Sequence, residues 1–506
     1  MKIERTKNAV RNIFFGTLYK MISILLPFTT RTAMIYVMGS EYVGLSSLFS
    51  SILSFLSLAE LGIGSAIVFS MYKPIAEDDR DTICALLNLY KRLYRYIGSI
   101  ILSIGLLLIP FLRYIVKGGC PSDVNFYILY GIYLFNTVIS YWLFGYKQSL
   151  LSAFQRNDII SKRSMILDTL LYTFQIIALI LSRNYYIYII WLPIFTIVKN
   201  VVNSLIVDKM YPDYKCIGEI DKSLKISIQK KTIALFGTKA NSIVMHAADN
   251  LVISAFLGLR MVGKYGNYYC IINYVTGFLS IIYSSLTAGL GNSLVVESVE
   301  KNYKDFEVLN FINSWIVMFC TTCLLCLYQP FMRIWVHEPL MLDNYVVFLL
   351  VVYFYIYSIR RLGLTYKDAK GIWWEDRFRP YVMMIVNVIG NIYMVQIIGI
   401  YGVVLSTIFG MLVAFPWETY TIFKYIFNRS AKQYYKKMGV YTVVTVIIAV
   451  ITFLICNTFG DTAMDIILRL IICAIVPNIL FVGFFYRKHE FKESIKKIAS
   501  YRKRNL

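Results

Sequence analysis

Along the chain, long unbroken apolar runs alternate with short polar segments rich in Lys and Arg. The runs do not alternate residue by residue, and most match the roughly 20 residues a helix needs to cross a bilayer core about 30 Å thick. Only helices or closed barrels satisfy every backbone polar group in hydrocarbon, so helices are expected. Runs bounded by charge clusters, Pro or Gly predict fourteen spans, at 11–38, 43–71, 95–116, 124–147, 162–182, 185–207, 232–257, 264–290, 306–328, 344–363, 379–398, 401–423, 438–457 and 463–486. The basic start MKIERTKNAVRN runs into the first of these with no small-residue cleavage site behind it, so the segment is expected to stay attached and to span. The fold class expected is all-α integral membrane.

Composition agrees: 58% of the 506 residues are hydrophobic and only 16% charged, against about a quarter charged in soluble domains. The net charge of +22 would ordinarily point to an acidic polymer, and its placement argues otherwise. With the N-terminus inside, 40 basic residues fall on inner segments. Only Arg113, Lys117, Arg183, Arg260, Lys264 and Arg333 fall on outer loops. That is the positive-inside bias, and it supports an even number of spans with both termini cytoplasmic. No nucleic-acid partner is expected. Three His and nine Cys without metal-ligand spacing argue against a zinc or disulfide-stapled protein.

The organisation expected is a six-helix bundle over 1–207, a linker over 208–231, a second bundle over 232–437, two further spans over 438–486 and a basic tail over 487–506. In the linker Ile217, Ile220, Leu224 and Ile228 recur at helical spacing, which fits a helix on the membrane surface as well as a solvated connection. An offset of 219 aligns Lys20, Ser23 and Ile24 with Lys239, Ser242 and Ile243, and Gly39, Val43 and Gly44 with Gly258, Val262 and Gly263. After a slip of eight residues, Gly62 and Gly64 meet Gly289 and Gly291. Because six spans is an even number, the two copies run the same way through the membrane, a parallel pseudo-repeat with a site expected near mid-depth.

Five basic residues lie inside expected spans and away from their ends: Lys20, Arg31, Lys199, Lys239 and Arg469. Acids also occur there: Glu60, Asp168, Asp249 and Glu418. A charge at the bilayer centre costs a few kcal/mol, so such groups face a cavity or one another and mark pathways. Lys20 and Arg31 are eleven residues apart, which returns to within about 20° of one helix face. His246 lies seven residues beyond Lys239, also about 20° off in angle, with Asp249 a turn further on. Lys20, Arg31, Lys199 and Lys239 are the candidate anion-binding residues; the other reading is that each pairs with its own acid. Glu60, Asp249 and His246 are candidates for coupling or charge balance, and for Glu60 the two roles stay open. Arg469 fits an interfacial cation that snorkels outward. Cys320, Cys323 and Cys326 sit in an apolar helix without further ligands and read as small filler. Most of the 41 Tyr and seven Trp suit interfacial belts, and some could stack on sugar rings in a cavity.

Taken together, two similar six-helix blocks plus two spans resemble the multidrug/oligosaccharidyl-lipid/polysaccharide exporter superfamily. Within it the chain is most similar to the bacterial polysaccharide biosynthesis flippases, the Wzx-like O-antigen and capsule repeat-unit translocases. The resemblance covers essentially the whole chain. Its segments are Gly39-Ser-Glu-Tyr-Val-Gly44-Leu with Leu58-Ala-Glu60-Leu-Gly62-Ile-Gly64, and Asp249-Asn-Leu-Val-Ile-Ser-Ala-Phe-Leu-Gly258 with Val262-Gly-Lys-Tyr265.

It implies an inner-membrane transporter, not an enzyme, whose cargo is an oligosaccharide on a polyprenyl diphosphate moved outward by alternating access. Membrane lipids and other polysaccharide assembly proteins are the further partners implied. No cofactor is implied, and a proton or sodium gradient could drive transport. Peptidoglycan-precursor flippases of the superfamily place several arginines in the cavity; Arg31 is the clear intramembrane Arg of the first span here, which weighs against that cargo. Two alternatives stand beside this reading. A drug or cation antiporter would prefer an acidic cavity. A membrane glycosyltransferase or polymerase would need more than the short outer loop near 329–343.

Overall fold

The structure, a computed structural model, describes residues 5–60, 62–460 and 462–504; these are helical with turns and contain no strand. The chain divides into two compact units, 1–263 and 264–506. The first holds α1 (Arg5–Val37), α2 (Ser40–Leu56), α3 (Ile63–Glu77), α4 (Arg80–Leu108), α5 (Phe126–Trp142), α6 (Gln148–Ala153), α7 (Asn157–Ser182), α8 (Tyr185–Met210) and α9 (Lys222–Leu257). α10 (Leu259–Val296) starts before the boundary. The second unit continues with α11 (Val299–Val336), α12 (Asn344–Ile359), α13 (Arg361–Lys370), α14 (Arg379–Ile398), α15 (Ile400–Ile422), α16 (Lys432–Cys456), α17 (Ala463–Phe485) and α18 (His489–Arg504).

Among the described residues eleven helices are long and apolar enough to cross a membrane, and α5 with α6, bent by 50°, makes a twelfth. The other two of the fourteen expected spans fall on α1 and on α2–α3, both helical but atypical. α1 carries Lys20 and Arg31 among Ser and Thr residues. The second span is broken at 57–62, where a 3₁₀ turn over Ser57–Glu60 leads to Gly62 in the left-handed region, φ 89°. No separate surface helix forms in the linker: helix begins at Lys222, capped by Asp221, and continues into the span as α9. Ile228 is buried in the first unit's core with Ile220 and Leu224 packed against it, while Ile217 is exposed. α9, which the repeat places at the head of the second bundle, packs on α2 and α3 in the first unit.

The offset of 219 reappears in the backbone. Gly39 ends α1 at φ 105°, ψ 169°, and Gly258 ends α9 at φ 87°, ψ 170°. This conformation is essentially restricted to glycine. A Cβ on Gly44 would lie 2.1 Å from the Leu259 carbonyl oxygen, and a Cβ on Gly263 would lie 2.2 Å from that of Ser40. Ser40 and Leu259 are themselves one offset apart, so the starts of α2 and α10 cross reciprocally through their glycines. Close approach of backbones at small residues is how helices associate where lipid removes the hydrophobic drive between them. The two copies then diverge: the first is broken between α2 and α3, whereas α10 runs unbroken past Gly289 and Gly291 to Val296.

Candidate functional site

The break after α2 turns Glu60 out of the helix ladder and into a cavity of about 820 Å³ within the first unit. Its wall includes Glu60 and Ser65 from the broken span, Tyr90 and Tyr94 from α4, Tyr141 from α5 and Lys239 from α9. Each carboxylate oxygen accepts one phenol: Tyr94 Oη donates to Oε1 at 2.7 Å and Tyr141 Oη to Oε2 at 2.8 Å. Tyr90 donates to Tyr94 Oη at 2.8 Å, which completes a relay of hydroxyls ending on the acid. Tyr90 and Tyr94 are one turn apart on α4, so both rings share a face. Gly64 makes room for the relay, since a Cβ there would lie 2.5 Å from the Tyr90 hydroxyl.

Across the same cavity Lys239 Nζ donates to Ser65 Oγ at 2.8 Å. No ion pair joins Lys239 to Glu60 or to another acid among the described residues. Among the described residues the cavity thus holds one cation and one carboxylate, each hydrogen-bonded to hydroxyls and neither neutralised by the other. A charge-assisted hydrogen bond to a neutral hydroxyl satisfies geometry and leaves the net charge in place. Tyr72, Ser140, Gln148 and Asn200 add polar and aromatic surface. Such a wall suits a polar, hydroxyl-rich ligand, with rings available for stacking and a single cation for an anionic group.

The remaining expected site residues are placed differently. Lys199 forms an ion pair with Asp168, whose other oxygen accepts from Tyr19 Oη at 2.8 Å. That triad ties α1, α7 and α8 together, so the Lys199 charge is already engaged. Lys20 is half-buried on α1, makes no ion pair among the described residues and does not line the Glu60 cavity. Arg31, His246 and Asp249 each have interaction partners in the structure; Asp249 is buried, Arg31 half-buried and His246 exposed.

Sequence reasoning missed Tyr90, Tyr94, Tyr141 and Ser65. The one signal available was the four-residue spacing of Tyr90 and Tyr94. It also did not single out Arg360, Lys367 and Arg379, and the second unit buries all three. Arg360 donates to Glu418 at 2.5 Å, with Arg379 3.8 Å from the same carboxylate. Asp376 pairs with Arg379 at 2.8 Å and with Lys367 at 2.7 Å. Arg469 does not reach outward but is buried, donating to the carbonyls of Phe459 and Gly460 at 2.6 and 3.0 Å. The cysteine stretch also gains neighbours: Cys456 and Cys473 lie beside Cys326, all three sulfurs within 4.8 Å of one another. The Cys456 and Cys473 sulfurs are 4.0 Å apart, about twice a disulfide bond length.

No protein-family model matches the sequence, and no curated protein matches it. Solved structures do resemble it. A lipid II flippase MurJ in an inward closed conformation superposes with a TM-score of 0.64 at 16% identity, covering 94% of this chain and 99% of that one. The chain carries the fold of a membrane transporter. An inward-facing multidrug resistance transporter of the MATE family, described as a member of the MOP superfamily, gives 0.59 at 14% identity over 79% of this chain and 94% of the other. A MATE transporter from Vibrio cholerae gives 0.58 at 13% identity, covering 84% and 98%. The transporter fold therefore extends over nearly the whole chain, and the Glu60 cavity lies within it.

Proposed function

We propose that the protein is a flippase that moves polyprenyl-diphosphate-linked oligosaccharide repeat units from the inner to the outer leaflet by alternating access, for surface polysaccharide assembly. The observation that carries this reading is the cavity itself: an un-neutralised ammonium, Lys239, in a wall of tyrosines and small polar residues. Fold likeness to a lipid II flippase supports a lipid-linked cargo. A diphosphate supplies the anion that Lys239 lacks. Attraction between the two is far stronger at low dielectric than in water. Tyrosine faces and the Ser, Asn and Gln side chains suit sugar rings and their hydroxyls. Lys20, Arg31 and Lys199 are retained as further cationic candidates, with Lys239 the primary one. Glu60, poised between two phenols, is the proposed coupling group, taking a proton or a sodium ion; His246 and Asp249 are secondary candidates for that role.

A second reading is favoured by the same carboxylate. A carboxylate without a cationic partner, as Glu60 is among the described residues, suits a proton- or sodium-coupled drug antiporter, and the fold likeness to MATE transporters supports it. The test is the purified protein in liposomes with a fluorescent lipid-linked oligosaccharide. Expected is translocation by the native chain and at least tenfold slower movement in Lys239→Ala and in Lys20→Ala/Lys239→Ala. Undiminished translocation in the double variant removes both lysines from the mechanism. Export of cationic dyes without movement of the lipid establishes the antiporter instead, and new glycosidic bonds would make the protein an enzyme.

A further inference from the structure

A second cavity in the first unit, of about 540 Å³, lies among α1, α7 and α8 and shares no lining residue with the Glu60 cavity. One end is basic: Arg11, Arg156, Lys162 and Arg163 line it, with Asp158 as the single acid among the described residues. Asp158 is taken up by Arg156, which grips it through two hydrogen bonds of 3.0 and 3.2 Å. Arg11, Lys162 and Arg163 make no ion pair among the described residues. Arg163 donates to Gln148 Oε1 at 3.1 Å, yet its Nε is buried with no acceptor. Leaving a buried donor without a partner is costly, so a ligand that supplies an oxygen there is favoured.

The other end is apolar, and it is in register with the first. Phe15 lies four residues beyond Arg11 on α1. On α7, Ile166 and Leu167 lie four beyond Lys162 and Arg163. α8 contributes Ile206 and Val202, themselves four apart. Four residues is about one helical turn, or roughly 6 Å, on the same face. α1 and α7 therefore step from polar to apolar together, and α8 lines the crevice with apolar side chains at both levels. The apolar stripe continues to Leu170 and Val198, which are 43% and 37% exposed. A soluble anion has no use for such a stripe, whereas a lipid needs both ends.

We propose that this crevice binds the phosphate headgroup of a lipid of the cytoplasmic leaflet, with Arg11, Lys162 and Arg163 holding the phosphate oxygens. The first one or two turns of the hydrocarbon chain lie along Phe15, Ile166 and Val202. Guanidinium groups grip phosphate oxygens in pairs, and the lysine adds a point charge at the rim. The proposal rests on the orientation set by the charge bias and is independent of what the Glu60 cavity carries. Two lipids share the required chemistry, an anionic phospholipid of the bulk membrane and a polyprenyl phosphate.

The test is native mass spectrometry of the full chain in detergent. It is titrated separately with phosphatidylglycerol, undecaprenyl phosphate, phosphatidylcholine and inorganic diphosphate. Expected is one anionic lipid retained at least tenfold more tightly than phosphatidylcholine, and at least a tenfold loss in Lys162→Gln/Arg163→Gln. Whichever anionic lipid binds tighter names the source. The exposed, charge-reversing Lys162→Glu serves if the double variant does not fold, and Ile166→Trp, which fills the apolar end, should weaken lipid without weakening inorganic diphosphate. Equal retention by native and variant chains, or inorganic diphosphate bound as tightly as the lipids, overturns the proposal. A chain that binds these lipids but translocates no lipid-linked sugar keeps this site and loses the flippase reading.

Discussion

The Glu60 cavity of the first unit and the charge network of the second handle intramembrane charge in opposite ways. In the first, Glu60 and Lys239 share a cavity and stay apart, each held by hydroxyl groups. In the second, Arg360, Lys367, Arg379, Asp376 and Glu418 are at most 5% exposed and are locked into one network of ion pairs. Every acid in that network touches two cations, so no carboxylate is left for an incoming cation. Closed pairs of this kind specify packing, and their removal is felt because the surviving partner is stranded. Open charges contribute little to packing, and their value is in what they can bind. The lesson is that burial of a charge is a poor guide to function until its neutralising partner is known.

The largest effect expected on stability comes from breaking the closed network. Glu418→Ala leaves Arg360 and Arg379 short of an anion and should cost about 3–5 kcal/mol, read as a lowered thermal transition in detergent. A loss under about 1 kcal/mol would dissolve the contrast between the units. Next come the reciprocal glycines. Gly44→Ala and Gly263→Ala force a methyl against backbone carbonyls and should each cost about 1–3 kcal/mol, whereas Gly483→Ala, with nothing within 4 Å, should stay within about 0.5. Unequal losses at Gly44 and Gly263 would argue against a symmetric crossing. Tyr141→Phe removes one donor from Glu60 and should cost about 0.5–1.5 kcal/mol.

Smallest in stability is Glu60→Gln, since the amide can bond both phenols; it should shift unfolding by no more than about 0.5 kcal/mol. Translocation in liposomes should nevertheless fall at least tenfold. Should transport survive, Glu60 belongs with the structural residues, and the open cavity loses its coupling role.

Much of the fold was legible because a bilayer imposes one length scale and one charge asymmetry on every span. All fourteen expected spans fall on helices, and the glycine matches at an offset of 219 reappear as paired helix ends and a glycine crossing. Glu60 and Lys239 could be singled out because charges in hydrocarbon are rare. The hydroxyls around them could not, because tyrosine is abundant in this chain and most of it reads as interfacial.

By itself, then, the sequence determined that the chain is helical and membrane-embedded, how its basic residues are biased between loops, and which spans are related. These follow from local hydrophobicity and short-range spacing. Only the tertiary structure decided which charges are spent and which are available. Lys199 meets Asp168 from 31 residues away, Arg360 meets Glu418 from 58, and Tyr141 reaches Glu60 from 81. Charge neutralisation acts over a few ångströms between helices remote in sequence, and no periodicity along one helix encodes its neighbour.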